Sequence, residues 1–357
     1  MKRVAIILVV ITFFLSTVPT VHVVNQLESD TLASLSLIQI YPKDHIWNVP
    51  VDTLPVHPMS ATYIDSSQPS NWMGIGEDYP INIVDENTPR QYLSSIRYLP
   101  FSDNIPYPIP KNPLVGKLSD HHLLMVDTSA KMLYELYNAN QNTNGTWWAE
   151  SAVVFNLSDY TLRPDNWPSA DAAGLPILPG TIRYDEVDSG SINHALRLAL
   201  PTSGDAHVWP ARAGGVRISG SYPPMGQRFR LNESFDISGF NTHQKVILTA
   251  LKKYGVMLAD NIGPSDSFGL AAVPDARWGS DIGYRAFQSV HFSDFEAVNV
   301  SSLMINSDSG QARMIPIVPS TLTPAPTPTP LPIEQLLTGN PGSLLFWDYL
   351  QSIFNPF

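Results

Sequence analysis

Carboxyl groups near a single loop offer this chain its most plausible chemistry. Asp171 opens a stretch that runs through Gly174-Leu175-Pro176-Ile177-Leu178-Pro179-Gly180, Glu186 follows it, and Asp260 stands farther along after an apolar run. A glycosidase needs one carboxyl that donates a proton and one that is ionised, set on either side of the scissile bond. Glu186 with Asp171 or Asp260 is the expected pair. Glu150 and Glu135 are further candidates, and Glu135 lies inside an apolar run where burial raises a carboxyl pKa. Residues 167–212 are dense in groups that bind or move protons, including Asp185, Asp188, Asn193 and His207. Within that segment His194, Arg197 and Arg212 are expected to position substrate.

Other chemistries are less well supported. His121-His122 places two imidazoles on opposite faces of a strand, so one of them with Glu135 and His194 is the best His/His/carboxylate metal set, as a metal-dependent lyase or oxygenase would need. Its spacing is not diagnostic, and the expectation is no metal and no cofactor. Ser169 or Ser191 with His194 lacks a recognisable nucleophile turn. No G-x-S-x-G, G-x-x-x-x-G-K-[ST], G-x-G-x-x-G or H-E-x-x-H is present, which weighs against α/β-hydrolases, NTPases, Rossmann enzymes and zincins. Trp148, Trp209 and His122 complete the expected binding set, because aromatic rings beside Asn, Asp and Arg suit the C–H faces of sugars.

Short strands should position these groups. Between residues 35 and 315 brief apolar runs alternate with Pro, Gly, Asn and Asp clusters, the pattern of a mainly β domain. Residues 121–127 and 131–137 should form a hairpin, and 151–157 a further strand. Residues 191–200 and 206–212 suggest a second hairpin, with His194 facing Arg212 and Arg197 stacking on Trp209. Residues 227–237 alternate as a strand with one solvated face. One helix is expected over about 242–258, capped at Thr242, with Gly255 as an early stop. The expected architecture is an antiparallel β-sandwich or curved sheet with that one packed helix.

Several of these stretches resemble a family of secreted prokaryotic proteins. They include Asp44-His45-Ile46-Trp47-Asn48, Tyr107-Pro108-Ile109-Pro110, the run from Ser169 to Gly180, Arg183-Tyr184-Asp185-Glu186 with Asn193-His194-Ala195-Leu196-Arg197, Pro223-Pro224-Met225-Gly226, and Leu251-Lys252-Lys253-Tyr254-Gly255 with Ala259-Asp260-Asn261. The resemblance covers residues 41–298. It implies export and one contiguous domain, and it implies no reaction.

Composition and the chain ends agree with export. The 357 residues include 32 Pro, no Cys and a formal charge of −11. That charge argues against a nucleic-acid partner, and the lack of Cys excludes disulfides, Cys-ligated zinc and thiol nucleophiles. Met1-Lys2-Arg3 followed by VAIILVVITFFL at residues 4–15 reads as a signal peptide or N-terminal anchor over 1–25. Residues 316–332 form a Pro/Thr linker that favours extended polyproline II, and residues 333–357 form an apolar tail too short to span a bilayer. The expected protein is therefore extracellular, secreted or surface-attached, with tethering through its termini and a polysaccharide or cell-surface glycan as partner. A polysaccharide hydrolase is the first expectation, and a non-catalytic carbohydrate-binding module on a stalk is the alternative.

Overall fold

The computed structural model describes residues 39–215, 220–263, 265, 267–283 and 285–314; the signal or anchor segment, the Pro/Thr linker and the apolar tail lie outside the described residues. In chain order the strands of its two main sheets are β1 (Trp72–Gly76), β2 (Ile81–Val84), β3 (Leu123–Asp127), β4 (Met132–Tyr137), β5 (Ser151–Asn156), β6 (Leu196–Leu200), β7 (Arg228–Leu231), β8 (Val256–Asn261), β9 (Ser267–Ala271), β10 (Phe287–His291) and β11 (Phe295–Val298). One sheet has seven strands in the order β10-β1-β9-β6-β8-β7-β11; the other has four in the order β5-β4-β3-β2. The protein is mainly β. Its sheets are mixed, because β1 with β9, β6 with β8 and β2 with β3 pair in parallel.

The β3–β4 hairpin forms as its sequence predicts. Leu123 pairs with Leu136 and Asp127 with Met132. The turn closes because the Asp127 carboxylate accepts the N–H groups of Ser129 (3.1 Å) and Ala130 (2.8 Å). Side chains alternate across a strand. Leu123, Met125, Tyr134 and Leu136 therefore join an outer cluster with Tyr107 and Trp147, while Leu124, Val126 and Leu133 join the main core. That core also holds Leu196, Leu198, Met257 and Phe268 from the seven-stranded sheet. His122 and Glu135 share the face of Leu124 and so point toward the same core.

The helix expected over 242–258 is shorter. It spans Thr242–Lys253 and buries Ile247, Leu248, Ala250 and Leu251, with Asn241 as N-cap in a capping box with Gln244. Two short helices also occur, Ser60–Ser66 and Tyr184–Asp188. Gly255 ends the turn after the long helix at φ +67°, and a Cβ there would lie 2.1 Å from the Phe229 carbonyl oxygen. Only glycine fits that approach without strain, and the chain leaves it directly as β8.

The second expected hairpin does not form. β6 is an interior strand with β8 on one edge and β9 on the other, so no edge remains for residues 206–212. That segment instead touches Met225 through a single bridge at His207, and Pro210 has no N–H to offer a ladder. The facing pairs expected from that hairpin, His194 with Arg212 and Arg197 with Trp209, are accordingly absent. The strand expected over 227–237 is confined to β7, because the chain turns where the Phe235 N–H bonds the Asn232 carbonyl at 3.1 Å.

Candidate functional site

The buried guanidinium of Arg197 organises one polar cluster between the sheets. Its Nε donates to Asp171 at 2.6 Å, its Nη2 donates to Asp260, and its Nη1 donates to the Tyr79 hydroxyl at 3.1 Å. Asp171 and Asp260 thus share one edge of the guanidinium. Their exposures differ: the Asp171 side chain is 0% exposed and that of Asp260 25%. Burial pushes the Asp171 carboxyl above the usual range, and the neighbouring Asp260 charge adds to this against the pull of Arg197.

A β-bulge makes the meeting of Arg197 and Asp260 possible. Up to Leu198 the β6–β8 register is regular, with Arg197 opposite Met257; past it Ala199 lies opposite Asp260, and Ala259 is the extra residue. In a regular ladder Asp260 falls on the face away from Arg197. The inserted residue brings it to the Arg197 face, the re-aiming that bulges beside functional sites perform. The 171–180 loop rests on this spot. The Ala173 N–H bonds the Ala259 carbonyl at 3.0 Å, and Gly180 lies so close that a Cβ there would sit 2.8 Å from Arg197 Cβ and 2.9 Å from its backbone nitrogen.

The four-stranded sheet supplies the opposite wall. Glu135 is 0% exposed, and its carboxyl accepts the N–H groups of Ile177 (2.9 Å) and Leu178 (3.0 Å). Burial raises it to about 8 despite those two bonds, as expected for an acid inside an apolar strand. His122 is equally buried. Its ring packs against Tyr79 at 5.2 Å and Tyr137 at 5.6 Å between centroids. Burial, with the Arg197 charge, holds it down to about 3, so the imidazole is neutral at physiological pH. Its Nδ1 has no hydrogen-bond partner among the described residues. Asp120, exposed and two residues before His122, is raised by partial burial and then by the Asp260 charge.

The remaining predicted residues lie apart from this cluster. Glu186 and His194 do come together, at 3.2 Å between Oε2 and Nε2, and Arg183 bonds both. Burial alone would raise Glu186, but Arg183 and His194 outweigh it and hold the carboxyl down to about 2. Glu186 is therefore a poor proton donor, and it does not pair with Asp171 or Asp260 as expected. Arg212 ties loops together, donating to the carbonyls of Arg163 (2.6 Å) and Ser307 (2.9 Å) and pairing with Asp308. Trp209 donates its Nε1–H to the Ser309 carbonyl at 2.8 Å. Trp148 lies in the short strand Trp147–Ala149, paired with Ser95–Ile96 and Asn140–Gln141. The metal set also fails to assemble: His194 is held at Glu186, and Glu135 is turned to backbone amides. Among the described residues no three His, Asp or Glu side chains gather in a form that could hold a metal ion.

Three members of the cluster escaped sequence reasoning: Asp120, Tyr79 and Tyr137. Asp120 precedes the singled-out His121-His122 pair, and Tyr137 closes the strand of Glu135, so the hairpin register was the available signal for both. Tyr79 reaches Arg197 from 118 residues away, and nothing local marks it. A small cleft bordered by Tyr41, Trp47, Arg163 and Pro210 includes none of the cluster's carboxyls. Among the described residues no helix is long and apolar enough to cross a membrane. Compared with family models, curated proteins and solved structures, the chain matches none.

Proposed function

We propose that the protein is an exported glycan hydrolase whose active centre is the mouth of the Arg197 cluster. The observation that carries this reading is the surplus of acid there: Asp171 and Asp260 both bond one buried guanidinium, and Glu135 and Asp120 feel its charge. Burying Asp171 and Glu135 there costs stability, because desolvation opposes each charge, and carboxyls raised by burial beside a specific charge partner are a mark of functional sites. Asp260, partly exposed and ion-paired to Arg197, supplies the carboxylate that faces the sugar. Asp120, raised and open to solvent, supplies the proton. Asp171 is sealed from solvent and acts as a positioning residue by fixing Arg197. Tyr79 and Tyr137 offer ring faces for the sugar.

The test is to incubate the full-length chain with a panel of polysaccharides and measure new reducing ends. Acid/base groups contribute roughly 10²–10⁴-fold to rate, so Asp260→Asn and Asp120→Asn should each lower turnover by at least about 100-fold. Absence of turnover by the wild type across the panel would overturn the proposal. Export rests on the basic start and apolar run of residues 1–15, and recovery of the protein only from the cytoplasmic fraction of its producing cells would contradict it.

A further inference from the structure

The mouth of this cluster is rich in acceptors and poor in donors. Asp120 and Asp260 present carboxyls there, and Glu150 continues the acidic line, since Tyr137 feels the charges of Asp120, Glu150 and Asp260 together. Two guanidiniums face the same line, and both are already engaged. Arg197 serves Asp171, Asp260 and Tyr79, and Arg97 pairs with Glu150 at 2.6 Å while lying over the Tyr98 ring. Independently of the acids, His122 is only 2% exposed and yet leaves Nδ1 unpartnered beside Tyr79 and Tyr137. Burial keeps the His122 ring neutral, and each nitrogen of a neutral imidazole pairs with a hydroxyl, as donor or as acceptor. A buried polar atom without a partner is unfavourable, and a sugar hydroxyl, which both donates and accepts, relieves that cost. Aromatic faces beside carboxylates also attract cations.

We infer that this mouth takes a cationic, donor-rich glycan, an amino-sugar oligomer bearing free ammonium groups, and rejects acidic glycans. The inference rests on the glycan-hydrolase reading for the sugar, and on the acceptor surplus for the charge. The ammonium sits between Asp120 and Asp260, and a hydroxyl of the same or the adjoining sugar meets His122 Nδ1.

Calorimetric titration of the full-length chain with a glucosamine pentamer, an N-acetylglucosamine pentamer and a galacturonate pentamer tests it. The expected result is binding of the glucosamine pentamer at least ten-fold tighter than its acetylated counterpart, with no measurable binding of galacturonate. Asp120→Asn, a surface change, should lower that preference about ten-fold. His122→Phe should weaken the glucosamine pentamer at least three-fold; because it alters a buried ring, its fold is checked by near-UV circular dichroism, and Asp120→Asn decides the matter if His122→Phe does not fold. Equal affinity for the two amino-sugar forms, tighter binding of galacturonate, or binding of none of the three overturns the inference. Reducing-end release measured alongside separates the two readings. Cleavage of acetylated or neutral glycans without amine preference removes this inference and keeps the hydrolase. Amine-dependent binding without cleavage of any glycan keeps this inference and removes the hydrolase.

Discussion

Two clusters in this molecule are each built on an arginine and carboxyls, and they are balanced differently. At Arg183 one guanidinium and one imidazole meet one carboxyl, Glu186, which is held well ionised. At Arg197 one guanidinium bonds two carboxyls, Asp171 and Asp260, and burial drives up Asp171 and also Glu135 on the facing sheet. The first arrangement satisfies its charges and joins the short helix Tyr184–Asp188 to the start of β6. The second leaves protons to be exchanged and a buried ring nitrogen, His122 Nδ1, unpartnered among the described residues. A third arginine sharpens the contrast. Arg228, on β7 of the same sheet, is 1% exposed, donates to the carbonyls of Ile46 and Val49, leaves Nε and Nη1 without a partner among the described residues, and is lowered by burial to about 9. Burial of arginine is thus not itself the mark of a site in this fold; an excess of acid around it is.

Breaking each cluster at its arginine should expose the difference first in stability. Removing one partner of a buried ion pair typically costs about 3–5 kcal/mol, so Arg197→Ala should lower the free energy of unfolding by that order in urea titration. Arg183→Ala, whose partner Glu186 has a 22% exposed side chain, should cost less than half as much. Gly180→Ala comes next. The new methyl meets Arg197 and the Trp47 ring below 3 Å, and overpacking of this kind costs about 1–3 kcal/mol. The loop should then lift from the Arg197 cluster, with turnover falling more than the urea midpoint.

Glu135 gives a pH signature to the acid-rich cluster. Its ordinary value is 4.5 and its folded value about 8, so between these limits the folded chain keeps a proton that the unfolded chain releases. Its contribution is full below about 4.5 and is lost as pH rises through 8. His122 and His45, both held down by burial to about 3, have the opposite sign: their contribution is full above 6.5 and is lost as pH falls toward 3. Asp171, raised to about 7, has the same sign as Glu135 and is spent near that pH, so the window from about 7 to 8 isolates Glu135. Wild-type stability should fall across it, and Glu135→Gln should flatten the fall. An unchanged slope in Glu135→Gln would contradict the placement of a protonated acid there.

How much of this was legible in the sequence depended on sequence separation. The hairpin of β3 and β4 was readable because its register is set by a local turn, and with it the burial of Glu135. The start of the long helix was readable to within a residue. The pairing of β6 was not, since its partners lie 60 residues or more away along the chain and two adjacent apolar runs imitate a hairpin. That error moved Arg197 onto Trp209 and away from Asp171, although Asp171, Asp260, Arg197 and His122 had each been singled out. The bulge at Ala259 has no sequence mark at all, and without it Asp260 faces the wrong side of its sheet. Glu186 and His194, expected in one site with Asp171 or Asp260, meet each other at Arg183 and not at Arg197.

The comparison between the two clusters yields the most direct test of the central claim, a side-by-side assay of Asp260→Asn and Glu186→Gln for reducing-end release on whichever glycan the wild type cleaves. Both substitutions keep side-chain size and remove one charge. The account predicts loss of at least about 100-fold in Asp260→Asn and turnover within about three-fold of wild type in Glu186→Gln. The reverse order, with Glu186→Gln inactive and Asp260→Asn near wild type, would place the chemistry at the Arg183 cluster and contradict it.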